Sequence, residues 1–267
     1  RKMACSYGWD WGPITISSGI WKPIELIDFE QIAITSFSVI SEVTDRNRSL
    51  KANVDLAGEF SGAVLRLALK DGEKTFASKV FAPGTELELN DLNVELWQPR
   101  GRGDQKLYQA IVELILNGKV IQKSEKQVGF RTIELDTTEI KDGKHLFAIK
   151  VNGLRLWIRG ANWIPDDPFP SRITRARYEK RISDMLEVNI NGIRVWGGGI
   201  YESEDFYQLC DREGIVVWQD FLFACAAYPE TVAMFEEVDA EVKEAVARLG
   251  SHPSLMIWCG EIGRAHV

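Results

Sequence analysis

The chain has 267 residues, is 45% hydrophobic and 10% aromatic, and carries a formal charge of −7 with a pI near 5.2. That balance argues against nucleic acid or an anionic membrane as partner, and no apolar run approaches the roughly 20 residues that cross a bilayer. Cys5, Cys210, Cys225 and Cys259 show neither a C-x-x-C pair nor a spacing shared with histidine, so neither zinc nor a disulfide framework is indicated. They read as free and mostly buried thiols, and the compartment stays open. The chain opens on Arg1-Lys-Met and reads as starting inside a domain.

Residues 1–30 hold a Gly/Pro-bounded turn, Gly8-Trp-Asp-Trp-Gly-Pro13, then Gly19–Ile27, which alternates well enough for a strand. Thirty residues cannot bury a core alone, so this stretch is expected to be the last strands of a β-sandwich. From residue 31 to 134 the sequence is short strands with turn punctuation: Ile32–Ile40, Leu50–Leu56, Gly62–Lys70, Lys74–Phe81, Thr85–Leu89, Tyr108–Leu116 and Val120–Arg131. Asp71-Gly72 and Asn117-Gly118 are two-residue hairpin signals. This strand spacing predicts an immunoglobulin-like sandwich without the cysteine pair of antibody domains. Arg102-Gly-Asp104 reads as a solvated turn, and Asn47-Arg48-Ser49 is a formal glycosylation sequon.

Residues 135–260 change character. Phe147–Gly160 reads as a hairpin whose second arm becomes the first of several parallel strands, with Asn162-Trp163 and Pro165-Asp-Asp-Pro168 in the loop after it. Thr174 can cap a helix running to about Val188, with Tyr178, Ile182, Met185 and Leu186 on one face. Then come strand Gly192–Trp196, helix Glu204–Glu213 closed by Gly214, strand Ile215–Asp220, a helix from about Met234 to Leu249, and strand Leu255–Cys259. The short apolar strands are β-branched, as buried parallel strands are, and two of them end in unusual chemistry. This is the pattern of the first half of a (β/α)8 barrel, whose active site gathers at the C-terminal ends of the strands. The first and fourth strands would lie at open edges, and poor solubility is expected of the isolated chain.

Gly8-Trp-Asp-Trp-Gly-Pro, Arg194-Val-Trp-Gly-Gly-Gly, Cys210-Asp-Arg-Glu-Gly-Ile-Val-Val-Trp-Gln-Asp-Phe and Phe223-Ala-Cys-Ala-Ala-Tyr-Pro together resemble the β-mannosidases of glycoside hydrolase family 2. The resemblance covers nearly the whole chain in order. It implies the end of a sugar-binding jelly roll (1–30), an immunoglobulin-like domain (31–134) and half of a catalytic barrel (135–260). It also implies a retaining exo-hydrolase that removes terminal β-linked mannose with two carboxylates and no cofactor or metal. In the family the acid/base Glu follows strand four in a Trp-Cys-Gly-Asn-Asn-Glu run, and the nucleophile comes after strand seven. Here Trp258-Cys-Gly260 is followed by Glu261-Ile-Gly-Arg-Ala-His-Val267, with Gly263 where the acid/base Glu should stand. Residues 261–267 read as a tail foreign to the gene, Glu261 as too early to replace the acid, and the chain as inactive by itself.

By the resemblance, Trp9 and Asp10 reach the mouth of the barrel, Asp10 to bond sugar hydroxyls and Trp9 to pack on a ring face. The bland alternative is a structural turn. Arg194 and Trp196 alternate onto one side of their strand. An interior Arg needs a carboxylate, and the resemblance has Trp196 lining the sugar pocket; a structural ion pair over a core Trp is the alternative. Asn162 and Trp163 are expected at the same rim in contact with substrate. Gln219 and Asp220 read equally as holders of neighbouring loops, Asp166 and Asp167 as loop caps, and His145 and His252 as structural. Two rival functions remain: another family 2 glycosidase, of β-galactosidase or exo-glucosaminidase type, and a non-catalytic carbohydrate-binding protein.

Overall fold

A computed structural model describes residues 2–224 and 226–260. Cys225 and the tail 261–267, with Glu261, Gly263 and His266, lie outside the described residues. The strands in chain order are β1 (Ile32–Val43), β2 (Arg48–Gly58), β3 (Ala63–Asp71), β4 (Lys74–Phe81), β5 (Leu87–Leu89), β6 (Tyr108–Leu116), β7 (Lys119–Val128), β8 (Ile133–Asp136), β9 (Glu139–Lys141), β10 (Lys144–His145), β11 (Ala148–Val151), β12 (Leu154–Leu156), β13 (Gly160–Trp163), β14 (Gly192–Val195), β15 (Val216–Asp220) and β16 (Leu255–Cys259). The helices are α1 (Arg175–Glu187), α2 (Glu204–Glu213) and α3 (Val232–Leu249). The described residues divide into two compact units, one of residues 2–25, 158–224, 226–246 and 254–260, the other of residues 26–157 and 247–253.

The second unit is antiparallel. β1, β2 and β5 form one sheet, and β4, β3, β6 and β7 another. Period-two alternation sends Leu65, Leu67 and Leu69 inward from β3, Tyr108, Ala110, Val112 and Leu114 from β6, and Leu50 and Ala52 from β2, all into one shared core. The strands expected over residues 31–134 therefore form, with ends shifted by a few residues. Asn117-Gly118 makes the tight turn as expected, both residues at positive φ (50° and 80°) between paired Leu116 and Lys119. The β3–β4 hairpin turns one residue later than expected, on Gly72-Glu73, because Asp71 pairs with Lys74. The Arg102-Gly-Asp loop is closed on itself by Gln98 N–H to the Asp104 carbonyl at 3.0 Å. Both ends of the Asn47 amide are engaged, Nδ2 on Asn90 and Oδ1 by the Asp91 N–H.

Two expectations are corrected. Gly19–Ile27 forms no strand; the regular structure in residues 2–30 is a 3-10 turn at Ala4–Tyr7 and a bridge between Trp9 and Gly12. A strand is held by its neighbours, and Ile14, Ile16, Ile20, Ile24 and Leu26 instead stand exposed with no hydrogen-bonded partner strand among the described residues. The arms Ala148–Val151 and Leu154–Leu156 do form a hairpin, but its second arm does not become the first parallel strand. β11 lies between β8 and β12 in a separate antiparallel sheet, and the parallel strand starts afresh at Gly160.

The first unit is built on a parallel sheet of order β13-β14-β15-β16, with β13 and β16 at its edges. α1 starts after Thr174, which has extended N-cap geometry, though its side chain makes no capping bond. α2 begins after Ser203 with Glu204 and Asp205 in its first turn, where acids favour the helix dipole. It ends at Gly214, whose left-handed φ of 71° only glycine adopts without cost. Phe206, Tyr207, Leu209 and Cys210 are its buried face.

Asp136 closes the end of β8. Thr138 donates to its carboxylate from hydroxyl and backbone N–H, and Lys150 pairs with it, which lowers its pKa to about 2. A depressed carboxyl contributes stability that is present above its unfolded pKa near ~4 and lost as pH falls through the folded value. A carbon-detected NMR titration is expected to show the Asp136 midpoint near 2, and Thr138→Val to raise it toward the ordinary range. A midpoint of ~4 in the unsubstituted chain would remove this tether.

Candidate functional site at the strand ends

The parallel register decides which side chains share a face. Asn162, Arg194 and Trp218 lie opposite one another across β13, β14 and β15, and Trp163, Val195, Gln219 and Trp258 form the next row. Successive side chains on a strand point to opposite faces, so the two rows look in opposite directions. The first lines an open hollow of about 390 Å³ that also touches Gly160, Gly192 and Met256. The floor of that hollow is glycine for lack of room: a Cβ on Gly160 would come within 2.4 Å of the Gly192 carbonyl oxygen, and one on Gly192 within 2.5 Å of Ile158.

The second row packs against the helices. Trp163 is buried, its ring 4.9 Å from Phe206, with Tyr178 also against it. Its indole N–H donates to Glu202 at 2.8 Å, and the Tyr178 hydroxyl donates to the other oxygen of the same carboxylate at 2.5 Å. Burial, then the Glu202 charge, pushes the Tyr178 hydroxyl well above its usual pKa. Gln219 is likewise buried and accepts from the Tyr207 hydroxyl at 2.6 Å. Trp163 therefore belongs to the helix-facing core, not to the face of Asn162. Both residues lie within β13, whereas the expectation placed them in the loop after it.

Arg194 finds the carboxylate its position requires. Its Nη2 lies 2.7 Å from Oδ2 of Asp220 and its Nε donates to Oδ1 at 3.2 Å. Trp218 Nε1 donates to Oδ1 at 3.0 Å, and the Gly197 N–H to Oδ2 at 3.2 Å. Asp220 is 0% exposed, and four donors spread over both oxygens compensate its burial.

Past Arg194 the chain turns through Gly197–Gly199. The Trp196 ring folds back over Gly198, where an added Cβ would stand 1.9 Å from the indole; a Cβ on Gly199 would meet Pro165 at 2.7 Å. The Cys5 N–H donates to the Gly198 carbonyl at 2.9 Å, tying the N-terminal turn to this loop. Paired backbone bonds between Trp9 and Gly12 close the Gly8–Gly12 turn. Trp9 then meets Trp196 edge to face at 4.9 Å and Trp11 meets it at 6.0 Å. Such pairs add ~0.5–1.5 kcal/mol beyond area burial. A second hollow of about 360 Å³ lies beside them, lined by Trp11, Pro13, Asn162, Trp163 and Pro165 among others.

The structure thus brings Trp9 to Trp196 and Asn162 to Arg194. Asp10 is exposed at the tip of its turn and makes no hydrogen bond or ion pair among the described residues. Asp167 accepts from the Phe169 N–H, as a loop cap does, and that bond with the Arg177 contact lowers its pKa. Asp166 pairs instead with Arg177 and Arg181. Glu202 and Trp218 escaped the sequence reading. Trp218 was open to the alternation argument used for Arg194, but Glu202 sits just before a helix and looks like capping chemistry. Among the described residues no group of three or more His, Cys, Asp or Glu could hold a metal ion.

Residues 32–131 match the family described as Glycosyl hydrolases family 2. Beta-mannosidase of Capra hircus is 37% identical over 280 residues, covering 97% of this chain, and Beta-mannosidase B of Emericella nidulans is 34% identical over 266. The crystal structure of the Dictyoglomus thermophilum β-D-mannosidase superposes with a TM-score of 0.90 at 36% identity, over 97% of this chain and 33% of that one. The chain is a homologue of the family 2 β-mannosidases. It spans 31% of the length of the curated β-mannosidases it matches. A β-glucuronidase structure from Parabacteroides merdae shares the fold, with a TM-score of 0.70 at 19% identity.

In this homologue of the β-mannosidases, Gly198→Ala is expected to displace the Trp196 ring and cost ~1–3 kcal/mol in chemical denaturation. It should also collapse the near-ultraviolet circular dichroism of the Trp9–Trp196 pair. Gly19→Ala, where nothing lies within 4 Å of the added carbon, is the neutral control. Equal spectra and stabilities for the two variants would contradict the packing described.

Proposed function

We propose that this chain supplies part of the sugar-binding rim of a retaining exo-β-mannosidase. In that reading residues 1–30 are the end of a jelly-roll domain, 31–134 an immunoglobulin-like domain and 135–260 the first half of a (β/α)8 barrel. The observation that carries it is the docking of the Gly8–Gly12 turn onto Trp196, beside the Arg194–Asp220 pair at the ends of successive parallel strands. Functional side chains of (β/α)8 enzymes gather at that end of the sheet. Aromatic faces suit the C–H surface of a pyranose, and a fixed guanidinium and an amide suit its hydroxyls. Trp9, Asp10, Asn162, Arg194 and Trp196 are the residues assigned to the sugar, with Trp163 supporting them from the opposite face.

A retaining hydrolase needs two carboxyl groups ~5 Å apart, one to protonate the leaving oxygen and one to attack the anomeric carbon. The buried or arginine-paired carboxylates here are already committed. Asp220 holds Arg194, Glu202 binds Trp163 and Tyr178, Asp211 accepts from the Ser254 N–H, and Asp166 and Asp167 face Arg177. The catalytic pair is therefore assigned to none of the described residues. The parent activity, hydrolysis of terminal β-mannose, is proposed for a polypeptide of the curated relatives' length.

The 267-residue chain is expected to release no p-nitrophenol from p-nitrophenyl β-D-mannopyranoside above the buffer rate. In calorimetry it should bind methyl β-D-mannopyranoside, with Trp196→Ala weakening that binding roughly tenfold, the value of one lost aromatic contact. Turnover by this chain would overturn the assignment of the carboxylates. Equal binding of the β-galactoside would favour a different family 2 specificity.

A further inference from the structure

Three asparagine–glycine pairs occur in the chain, at residues 117–118, 152–153 and 191–192. Two of them are built alike. Asn117-Gly118 and Asn152-Gly153 each make a two-residue hairpin turn, at φ of 50° and 80° in the first and 51° and 75° in the second. The flanking residues pair in both, Leu116 with Lys119 and Val151 with Leu154. In each turn the asparagine N–H donates to a carbonyl of another segment at 3.1 Å, that of Gly62 or that of Thr132. The side-chain amides differ. Asn152 accepts from the Thr132 N–H at 2.9 Å and donates to the Trp97 carbonyl at 2.9 Å and to Gln98 Oε1 at 3.0 Å. Asn191 is buried and accepts from the Arg159 N–H at 2.7 Å. Asn117 stands exposed at the tip of the β6–β7 hairpin, and its amide makes no hydrogen bond among the described residues.

We infer that Asn117 is a site of spontaneous covalent modification, deamidating in the folded chain to aspartyl and isoaspartyl residues while Asn152 and Asn191 stay intact. The Gly118 amide nitrogen gives its proton to solvent base and attacks Cγ of Asn117. The Cγ–Nδ2 bond breaks, Nδ2 leaves as ammonia, and a cyclic imide remains. Water then opens the imide at one of its two carbonyls, giving aspartate or, with the chain rerouted through Cγ, isoaspartate. Glycine puts no side chain in the way of the attacking nitrogen. At Asn152 and Asn191 the amide must first shed its hydrogen bonds before Cγ can turn onto that nitrogen. Aspartate suits the turn as asparagine does. Isoaspartate does not, because it adds a backbone carbon between Leu116 and Lys119, next to a strand that supplies Tyr108, Ala110, Val112 and Leu114 to the core. Its freed α-carboxylate, at an exposed tip, is the group that an isoaspartyl carboxyl methyltransferase esterifies.

The test ages the folded 267-residue chain in warm, mildly alkaline buffer. Mass spectrometry then follows the tryptic peptides 107–119, 151–155 and 182–194, one for each pair. Asn117 is expected to convert at least roughly tenfold faster than either other asparagine, the worth of the hydrogen bonds those two must break. With the chain unfolded in urea the three rates should converge. An isoaspartyl methyltransferase should label peptide 107–119 alone, and mass gain there without label would remove the isoaspartyl product. Asn117→Gly keeps a residue suited to positive φ. That variant should take no label and hold its melting midpoint on ageing, while the midpoint of the unsubstituted chain falls. Equal rates at the three sites of the folded chain, or slower conversion at Asn117 than at Asn152, would overturn the inference. The sugar-rim reading is independent of either result.

Discussion

The buried carboxylate of Asp220 is the constraint on which the parallel half of the molecule depends. An acid with no exposed surface is tolerable only if hydrogen bonds and an opposite charge replace its water. The donors come from three places: Arg194 on β14, Trp218 on β15, and the N–H of Gly197 in the loop that follows β14. Satisfying one side chain thus fixes the ends of two strands and the first residue of the glycine turn. Removing one partner of a fully buried pair costs roughly 3–5 kcal/mol. The 33% of Arg194 still in water lowers that cost here.

The opposite face of the same sheet has its own buried acid. Glu202 accepts from Trp163 on β13 and Tyr178 on α1, so the far end of the glycine-bearing loop is tied to a strand and a helix. The segment from Gly197 to Glu202 is held at both ends by carboxylates on opposite sides of the sheet. Between those anchors, Gly198 leaves room for the Trp196 ring, and its carbonyl receives the Cys5 N–H. The rim is thus positioned by hydrogen bonds that lie behind it.

The antiparallel unit follows a simpler rule. Leu65, Leu67 and Leu69 on β3 and Val112 and Leu114 on β6 alternate inward, and the Asn117-Gly118 turn sets the register of the β6–β7 hairpin. The same alternation in residues 14–26 yields exposed isoleucines and no strand. A strand is a cooperative object: its backbone bonds belong half to a neighbour, and the pattern alone does not supply one.

Local information determined much of this protein. Period-two runs marked the strands of residues 31–134, and Thr174, Gly214 and the β-branched runs marked the βα units to within about two residues. Alternation put Arg194 on one side of its strand, and the cost of an unpaired buried charge demanded an acid for it. That the acid is Asp220 was decided by the parallel register, which sets residues 26 positions apart side by side. Tertiary structure also turned Trp163 away from Asn162, withheld the hairpin's second arm from the parallel sheet, and brought Trp9 to Trp196. The reason is the same in each case. Propensity and periodicity act over a few residues, whereas register, burial and the choice of hydrogen-bond partner depend on which distant segments share a core.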